Sequence, residues 1–185
     1  YKGSSEAMLA LERGEVQGHS TAWEALKTAH PSWKPDGDVT IAEPIRLDGA
    51  STVTAGLTGS GNIVVNSIIT GDGALTLNPS SASGGIYVGG VNTFTGGVTL
   101  NGSGEVAATN GAAFGSVGTL TLNGPKLRGT TGGTTTLPNP IVVAANTTFP
   151  NVTSEKSLIL SGSALLSGGT RTLTGSAGST VAGVW

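Results

Sequence analysis

The triplet Thr-Leu-Asn occurs three times, at Thr76–Asn78, Thr99–Asn101 and Thr121–Asn123, so that successive copies start 23 and 22 residues apart. Such an interval is typical of repeat proteins, whose units cannot bury their own apolar side and therefore stack on their neighbours. Apolar stretches at 63–65, 141–143 and 158–160 continue the series with less regular spacing. The repeats predict a parallel β-solenoid of about six coils, each made of short strands joined by turns.

Residues 39–185 show the alternation expected of strands. From Val39 onward, β-branched and other apolar residues alternate with Thr, Ser and Asn, which is the period of a strand with one buried face. Glycine and asparagine, which tolerate left-handed backbone, are suited to the turns between these strands. An antiparallel meander is the alternative, but hairpins predict turn signals about every 8 to 12 residues and not the longer repeat of the triplets. We therefore predict an all-β domain over 39–185.

Residues 1–38 have a different character, because they hold six of the eleven carboxylates and both histidines. Thr21 and Glu24 have the spacing of a helix capping box, and Trp23 and Leu26 follow at helical spacing. We predict a short α-helical N-terminal cap, or a fused fragment, over 1–38. An amphipathic helix there would cover the apolar end of the first coil, which otherwise invites aggregation.

Composition excludes several classes of function. A formal net charge of -2 and the lack of a Lys/Arg cluster argue against nucleic-acid binding. Cysteine is absent, which excludes disulfides and suits an exported bacterial chain. No run approaches the roughly 18 apolar residues of a transmembrane helix. His19 and His30 lack the i, i+4 spacing that would place both on one metal, so no metal site is predicted.

The coils resemble a known family over one stretch. Residues 92–102 read Asn-Thr-Phe-Thr-Gly-Gly-Val-Thr-Leu-Asn-Gly, and Gly-Ala-Ala-Phe-Gly at 111–115 and Gly-Thr-Leu-Thr-Leu-Asn-Gly at 118–124 follow. This order resembles the passenger-associated repeat of bacterial autotransporters, although Phe114 stands where a smaller apolar residue is common. The resemblance implies an exported right-handed β-helix, at the cell surface or outside the cell, that serves as a stalk or display scaffold.

The N-terminal residues resemble an unrelated family. Tyr1–Gly3, Leu11–Val16, Trp23–Lys27 and Pro31–Trp33 are similar to a piece of the periplasmic solute-binding proteins of tripartite tricarboxylate transporters. Nothing after Asp38 continues that similarity, so the two-lobed cleft of the family is not expected here. The resemblance therefore implies no ligand-binding residue.

The carboxylates of the coils are the candidates for catalysis. Polysaccharide-cleaving enzymes use two carboxyl groups on either side of a glycosidic bond. One protonates the leaving oxygen, and the other activates a water molecule or acts as the nucleophile. Asp48 and Asp72 are 24 residues apart, so they are expected on adjacent coils, where they would form such a pair or hold a calcium ion. Glu105 lies one coil before Lys126, for which a surface ion pair is favoured over catalysis. The catalytic candidates are Asp48, Asp72, Glu105 and Glu155.

Aromatic and basic side chains are the candidates for ligand binding. Sugars stack on exposed aromatic rings, and Tyr87 and Phe94 would line a glycan groove, although Phe residues more often plug a coil end or a turn. Lys126 and Arg128 flank an inward leucine and would face outward. The ligand-binding candidates are Tyr87, Phe94, Lys126 and Arg128.

Thr-x-Thr patterns occur at Thr52–Thr54, Thr119–Thr121 and Thr134–Thr136. Flat ice-binding solenoids use this arrangement, but threonine is also a good strand residue. The three copies hold no common register from coil to coil, which disfavours ice binding.

The sequence as a whole favours a non-catalytic extracellular β-helix with a structural, adhesive or display role in a bacterial surface protein, because the coils hold few titratable groups. The alternative is a carbohydrate-binding module, or a hydrolase or lyase, that acts on polysaccharide. Expected partners are a polysaccharide or a host or cell-surface glycan, and further copies of the chain through its coil ends. No nucleic acid, transmembrane segment or cofactor is expected, apart from the calcium ion considered above.

Overall fold

The structure, a computed structural model, describes residues 38–55, 61–79, 84–115, 117–129, 131–150, 157–175 and 179–181. Contacts between Cα atoms divide the chain into the units Tyr1–Gly37 and Asp38–Trp185, and all described residues belong to the second. The predicted helical cap lies outside the described residues. Within them, no helix is long and apolar enough to cross a membrane.

The described part of the second unit contains short strands, most of three to five residues, separated by turns. Their residues are largely those of the alternating pattern, since β-branched and leucine side chains pack well on a pleated surface. The strands are β1 (Val39–Ile41), β2 (Ile45–Leu47), β3 (Ser51–Ala55), β4 (Ile63–Val65), β5 (Ile69–Gly71), β6 (Leu75–Pro79), β7 (Gly85–Val88), β8 (Val98–Asn101), β9 (Glu105–Ala108), β10 (Leu120–Asn123), β11 (Lys126–Arg128), β12 (Thr134–Leu137), β13 (Ile141–Val143), β14 (Thr147–Phe149), β15 (Ser157–Leu160), β16 (Ala164–Leu166), β17 (Leu173–Gly175) and β18 (Ser179–Val181).

Every pairing between these strands is parallel, so the predicted parallel solenoid is confirmed and the antiparallel meander is excluded. A seven-stranded sheet has the order β1-β4-β7-β9-β11-β14-β17, and a six-stranded sheet has the order β16-β13-β10-β8-β6-β3. Two smaller sheets, β12-β15-β18 and β2-β5, complete the described part of the solenoid. The described part of the chain makes about five turns, slightly fewer than the six coils expected from the sequence.

The Thr-Leu-Asn triplets stack on one another in the six-stranded sheet, as their spacing predicts. Leu77 lies opposite Leu100, and Leu100 lies opposite Leu122 on the next coil. These leucines are at most 1% exposed, whereas the threonines and asparagines beside them reach solvent. Because side chains alternate between the two faces of a strand, the repeat places leucine inside and the two polar residues outside at every coil.

The core is a set of such apolar columns. The seven-stranded sheet contributes a column that runs through Ile86, Val106 and Leu127, all with no exposed surface. The columns of both sheets belong to one continuous cluster of buried side chains. Each coil therefore gains most of its apolar burial from the coils before and after it.

Two buried asparagines join coils where the regular sheets are interrupted. Asn92 accepts a hydrogen bond from the backbone N–H of Ile69 at 2.7 Å and donates one to the carbonyl of Ala113 at 2.6 Å. The Asn139 side-chain amide donates to the carbonyl oxygens of Phe114, Gly115 and Gly118 over 2.9 to 3.2 Å. Since buried backbone N–H and carbonyl groups need partners, these side chains add to the backbone hydrogen bonds that join the same coils, such as that from Thr93 N–H to the Ile69 carbonyl at 2.9 Å.

Gly71 ends β5 in a conformation that requires glycine. Its φ is 103°, and a Cβ atom at this position would lie 2.1 Å from the carbonyl oxygen of Leu47 on the preceding coil. Both the left-handed backbone and the close approach of the neighbouring coil therefore exclude a side chain.

Candidate functional site

The charged and aromatic candidates of the sequence meet on the outer face of the seven-stranded sheet. Register places Tyr87, Ala107 and Arg128 in one column, on β7, β9 and β11. Glu105 and Lys126 lie opposite each other in the neighbouring column. Four candidate side chains from three consecutive coils thus share one small area.

Tyr87 and Arg128 close over the alanine that lies between them. The guanidinium carbon of Arg128 is 4.7 Å from the centroid of the Tyr87 ring, within the range of a cation–π contact. Ala107 faces outward, because the residues on either side of it belong to the core. It nevertheless has no exposed surface. The Tyr87 ring and the Arg128 guanidinium group therefore cover the outer face of the sheet at Ala107.

Glu105 binds both of these side chains through one oxygen atom. Its Oε1 accepts a hydrogen bond from Arg128 Nε at 2.8 Å and one from the Tyr87 hydroxyl at 3.2 Å. Arg128 also donates from Nη1 to the carbonyl of Gly129 at 3.2 Å. We call Tyr87, Glu105 and Arg128 the Tyr–Glu–Arg cluster.

The cluster is largely shielded from water on its cationic side. The Arg128 side chain is 9% exposed and that of Glu105 is 28% exposed. Burial alone would lower the pKa of Arg128, but the hydrogen bond and negative charge of Glu105, together with Tyr87, outweigh it and leave the pKa raised. The guanidinium is therefore held in its charged form with its donors directed at protein acceptors.

The expected ion pair between Glu105 and Lys126 does not form. The two residues are opposite in register, as the sequence predicts, but the carboxylate pairs with Arg128 on the diagonal. Arginine can donate to Glu105 while its flat guanidinium stacks on Tyr87, whereas the compact ammonium of lysine keeps more of its hydration. Lys126 stays half-buried beside the cluster.

Asp48 and Asp72 follow β2 and β5 at equivalent positions, since Leu47 lies opposite Gly71. The Asp48 carboxylate accepts a hydrogen bond from Arg46 Nε at 2.5 Å, and both side chains are more than 70% exposed. The hydrogen bond and charge of Asp48 raise the pKa of Arg46, and the charge of Asp72 adds to the effect. A cation thus already lies in the field of both carboxylates, which opposes the binding of a metal ion there.

Phe94 does not belong to the Tyr–Glu–Arg cluster. The Phe94 ring is 1% exposed and belongs to the core, so it is not available to stack on a sugar. Glu155 falls in 151–156, outside the described residues. Over the residues that the structure describes, no three His, Asp or Glu side chains are close enough to share a metal ion.

The structure brings together a second outer surface, on the six-stranded sheet, that the candidate catalytic and ligand-binding residues do not include. Thr52, Thr76, Thr99 and Thr121 lie opposite one another in a single column on β3, β6, β8 and β10. Threonines therefore do hold one register over four coils, contrary to expectation. The Thr-Leu-Asn triplet indicates this surface, because its asparagine stands where the Thr-x-Thr pattern has its second threonine.

The asparagines of the triplets form the next column of this surface. Asn123 donates from Nδ2 to Asn101 Oδ1 at 2.8 Å, and Asn101 donates to Asn78 Oδ1 at 3.5 Å. We call seven outward side chains of β3, β6, β8 and β10 the Thr–Asn face: Thr52, Thr76, Thr99, Thr121, Asn78, Asn101 and Asn123.

Comparison of the chain with protein-family models, with curated proteins and with solved structures gave no match. The interpretation of both surfaces therefore depends on their own geometry and chemistry.

Proposed function

We propose that the chain is a non-catalytic β-helix segment of a bacterial surface protein, with a structural, adhesive or display role outside the cell. The observation that carries this proposal is the state of Glu105. Its Oε1 already accepts hydrogen bonds from Arg128 and Tyr87, so the carboxylate serves to hold three coils together.

A catalytic role would ask for a different arrangement. A glycosidase needs two carboxyl groups across one glycosidic bond, with one free to act as an acid and the other as a base or nucleophile. Glu105 is tied to a cation and a phenol, and Asp48 is tied to Arg46. The geometry of the described acids favours support of the fold over catalysis.

The same proposal covers the cellular location of the protein and the handedness of its coils. We infer a right-handed coil, which agrees with the general handedness of parallel crossovers. The resemblance of residues 92–124 to autotransporter passenger repeats supports export to the cell surface, and the absence of cysteine suits that route.

Carbohydrate binding is a second candidate, favoured by two side chains at and beside the Tyr–Glu–Arg cluster. Tyr87 and Lys126 are half-buried on the outer sheet face, where a ring and an ammonium group could contact the hydroxyls of a polysaccharide or a host glycan. The extended sheet would let a polymer lie along several coils.

Self-association through a coil end is supported by β16, the last strand of the six-stranded sheet. Leu166 lies opposite the buried Val143, yet it is 48% exposed, and its neighbour Leu165 is 60% exposed. An apolar strand at the edge of a sheet is a surface that another chain can cover.

The functions separate in one experiment. The purified chain is incubated with a panel of plant and microbial polysaccharides, while released reducing ends and depletion of protein onto each polymer are measured together. The scaffold role predicts neither signal. Release of sugar that Glu105→Gln abolishes would refute it in favour of an enzyme, and depletion that Lys126→Ala abolishes would establish a binding module.

A further inference from the structure

The Thr–Asn face is a two-dimensional array of two kinds of polar group, hydroxyls and amides, each repeating from coil to coil. Neighbouring parallel strands lie about 4.8 Å apart, and side chains on one face of a strand are separated by two residues, or about 6.6 Å. Four threonines repeat along one direction and three asparagines run beside them. A ligand that meets all of these groups at once must itself repeat on this scale.

The groups of the array are held in place before any ligand arrives. Threonine is branched at Cβ and therefore stiff about χ1. The hydrogen bonds between Asn78, Asn101 and Asn123 fix the orientation of their amide groups. Since β6, β8 and β10 are bonded on both sides by parallel neighbours, little conformational entropy remains to be lost on binding.

The chemistry of the six-stranded sheet narrows the class of ligand. None of its six strands contains a charged or aromatic residue. A charged ligand would find no counter-ion on this sheet, and a sugar would find no ring to stack on. Protein partners usually need aromatic or arginine anchors, which these strands also lack. What the face offers is hydroxyl and amide groups between methyl groups.

We propose that the Thr–Asn face binds ice. Water molecules at the surface of hexagonal ice form a two-dimensional lattice with repeats close to those of the array, and a hydroxyl beside a methyl group can enter such a lattice without the strongly oriented hydration shell of a charge. Each hydrogen bond contributes little by itself, so binding depends on many contacts made simultaneously to a solid. This activity goes beyond the proposed scaffold role and does not depend on it.

The test uses the whole chain of 185 residues. Ice is grown slowly from a solution of the protein and the fraction incorporated is measured against an inert protein of similar size. The protein concentration that stops recrystallisation in frozen films is measured in parallel. Thr99→Tyr places a bulky ring in the middle of the array while keeping a residue that favours strands, and Thr76→Lys places a charge there.

Thr136→Tyr is the matched control, because Thr136 is an exposed threonine on β12, in a different sheet. Circular dichroism and thermal melts show that each variant is folded. We expect the wild type and Thr136→Tyr to enter ice equally. For Thr99→Tyr and Thr76→Lys, the concentration that stops recrystallisation should rise at least about tenfold, because the contacts of the array act together.

Three results would overturn the proposal. The first is exclusion of the wild type from ice to the same degree as the inert protein. The second is equal loss of activity in Thr136→Tyr and in folded Thr99→Tyr, since it would remove the assignment to this face. The third is adsorption to an insoluble polysaccharide that depends on Thr99 while ice activity is absent, which would identify a sugar polymer as the ligand.

Discussion

Replacement of Arg128 by methionine tests whether the Tyr–Glu–Arg cluster stabilises the fold. Methionine keeps the length and apolar stem of the side chain but removes the donor that lies 2.8 Å from Glu105 Oε1 and the cation that stacks on Tyr87. We expect Arg128→Met to lower the free energy of unfolding while leaving the parallel sheets intact.

The size of the effect follows from the burial of the two partners. A hydrogen bond to a charged group contributes about 1.5 to 3 kcal/mol, and a partly shielded cation–π contact adds about 1 kcal/mol. Glu105 is 28% exposed and can recover some water, so the full penalty of a buried unpaired charge does not apply. The expected loss is about 2 to 3 kcal/mol.

Glu105→Gln and the double variant Glu105→Gln/Arg128→Met test how much of the lost stability comes from the contact between these two side chains. Glutamine can still accept the hydrogen bond of Tyr87 but carries no charge, so we expect a loss of about 1 kcal/mol. The double variant should lose about 1 kcal/mol less than the sum of the two single losses, because each single change removes the same contact.

The exposed pair of Arg46 and Asp48 is the matched control. Its Nε–Oδ1 distance of 2.5 Å is shorter than that of the Arg128 pair, but the side chains are 77% and 72% exposed. We expect Arg46→Met to leave stability unchanged, since exposed pairs are solvated and screened. The assay is urea unfolding followed by far-ultraviolet circular dichroism, with midpoints compared at equal slope. Equal stability of Arg128→Met and wild type, or equal losses for both arginines, would refute the argument from burial.

Two further pairs of variants test the stacking of the coils by the same assay. Gly71 and Gly169 have φ values of 103° and 102°, but a Cβ atom would meet the Leu47 carbonyl at 2.1 Å in the first case and nothing within 4 Å in the second. Gly71→Ala should therefore cost about 1 to 3 kcal/mol more than Gly169→Ala, and equal costs would show that the neighbouring coil yields without strain. Leu100 is fully buried and Leu165 is 60% exposed on the same sheet, so Leu100→Ala should cost about 2 to 5 kcal/mol and Leu165→Ala about 0.5 kcal/mol or less; similar losses would contradict the assignment of the inner column.

The fold could be predicted because the coil length is written into the sequence. Triplets 22 and 23 residues apart fix the register of Leu77, Leu100 and Leu122, and one residue of slippage would turn every side chain of a strand to the other face. The number of turns was harder to predict, because the segment around Asn92 forms no regular strand and is joined to its neighbours partly by side-chain hydrogen bonds, which have no periodic signal.

The surfaces were harder to predict than the fold. Register correctly placed Glu105 opposite Lys126, but the partner of the carboxylate was decided by the diagonal stacking of Arg128 on Tyr87, which depends on side-chain direction. Phe94 could not be assigned to the core from its glycine-rich surroundings alone. The Thr-x-Thr pattern did not reveal the common register of the Thr–Asn face, because that pattern omits the asparagines beside the threonines.

The pairing of each strand with its equivalents on adjacent coils also determines how the protein responds to force. A pull that draws one end of the chain away from the stack loads the ladder of a single coil at a time, while the coils behind it keep their contacts. Each coil that detaches frees the 22 or 23 residues between successive triplets, which is roughly 75 Å of extended chain. The solenoid would lengthen one coil at a time under tension and dissipate work at every step, as a tether does when it yields without breaking.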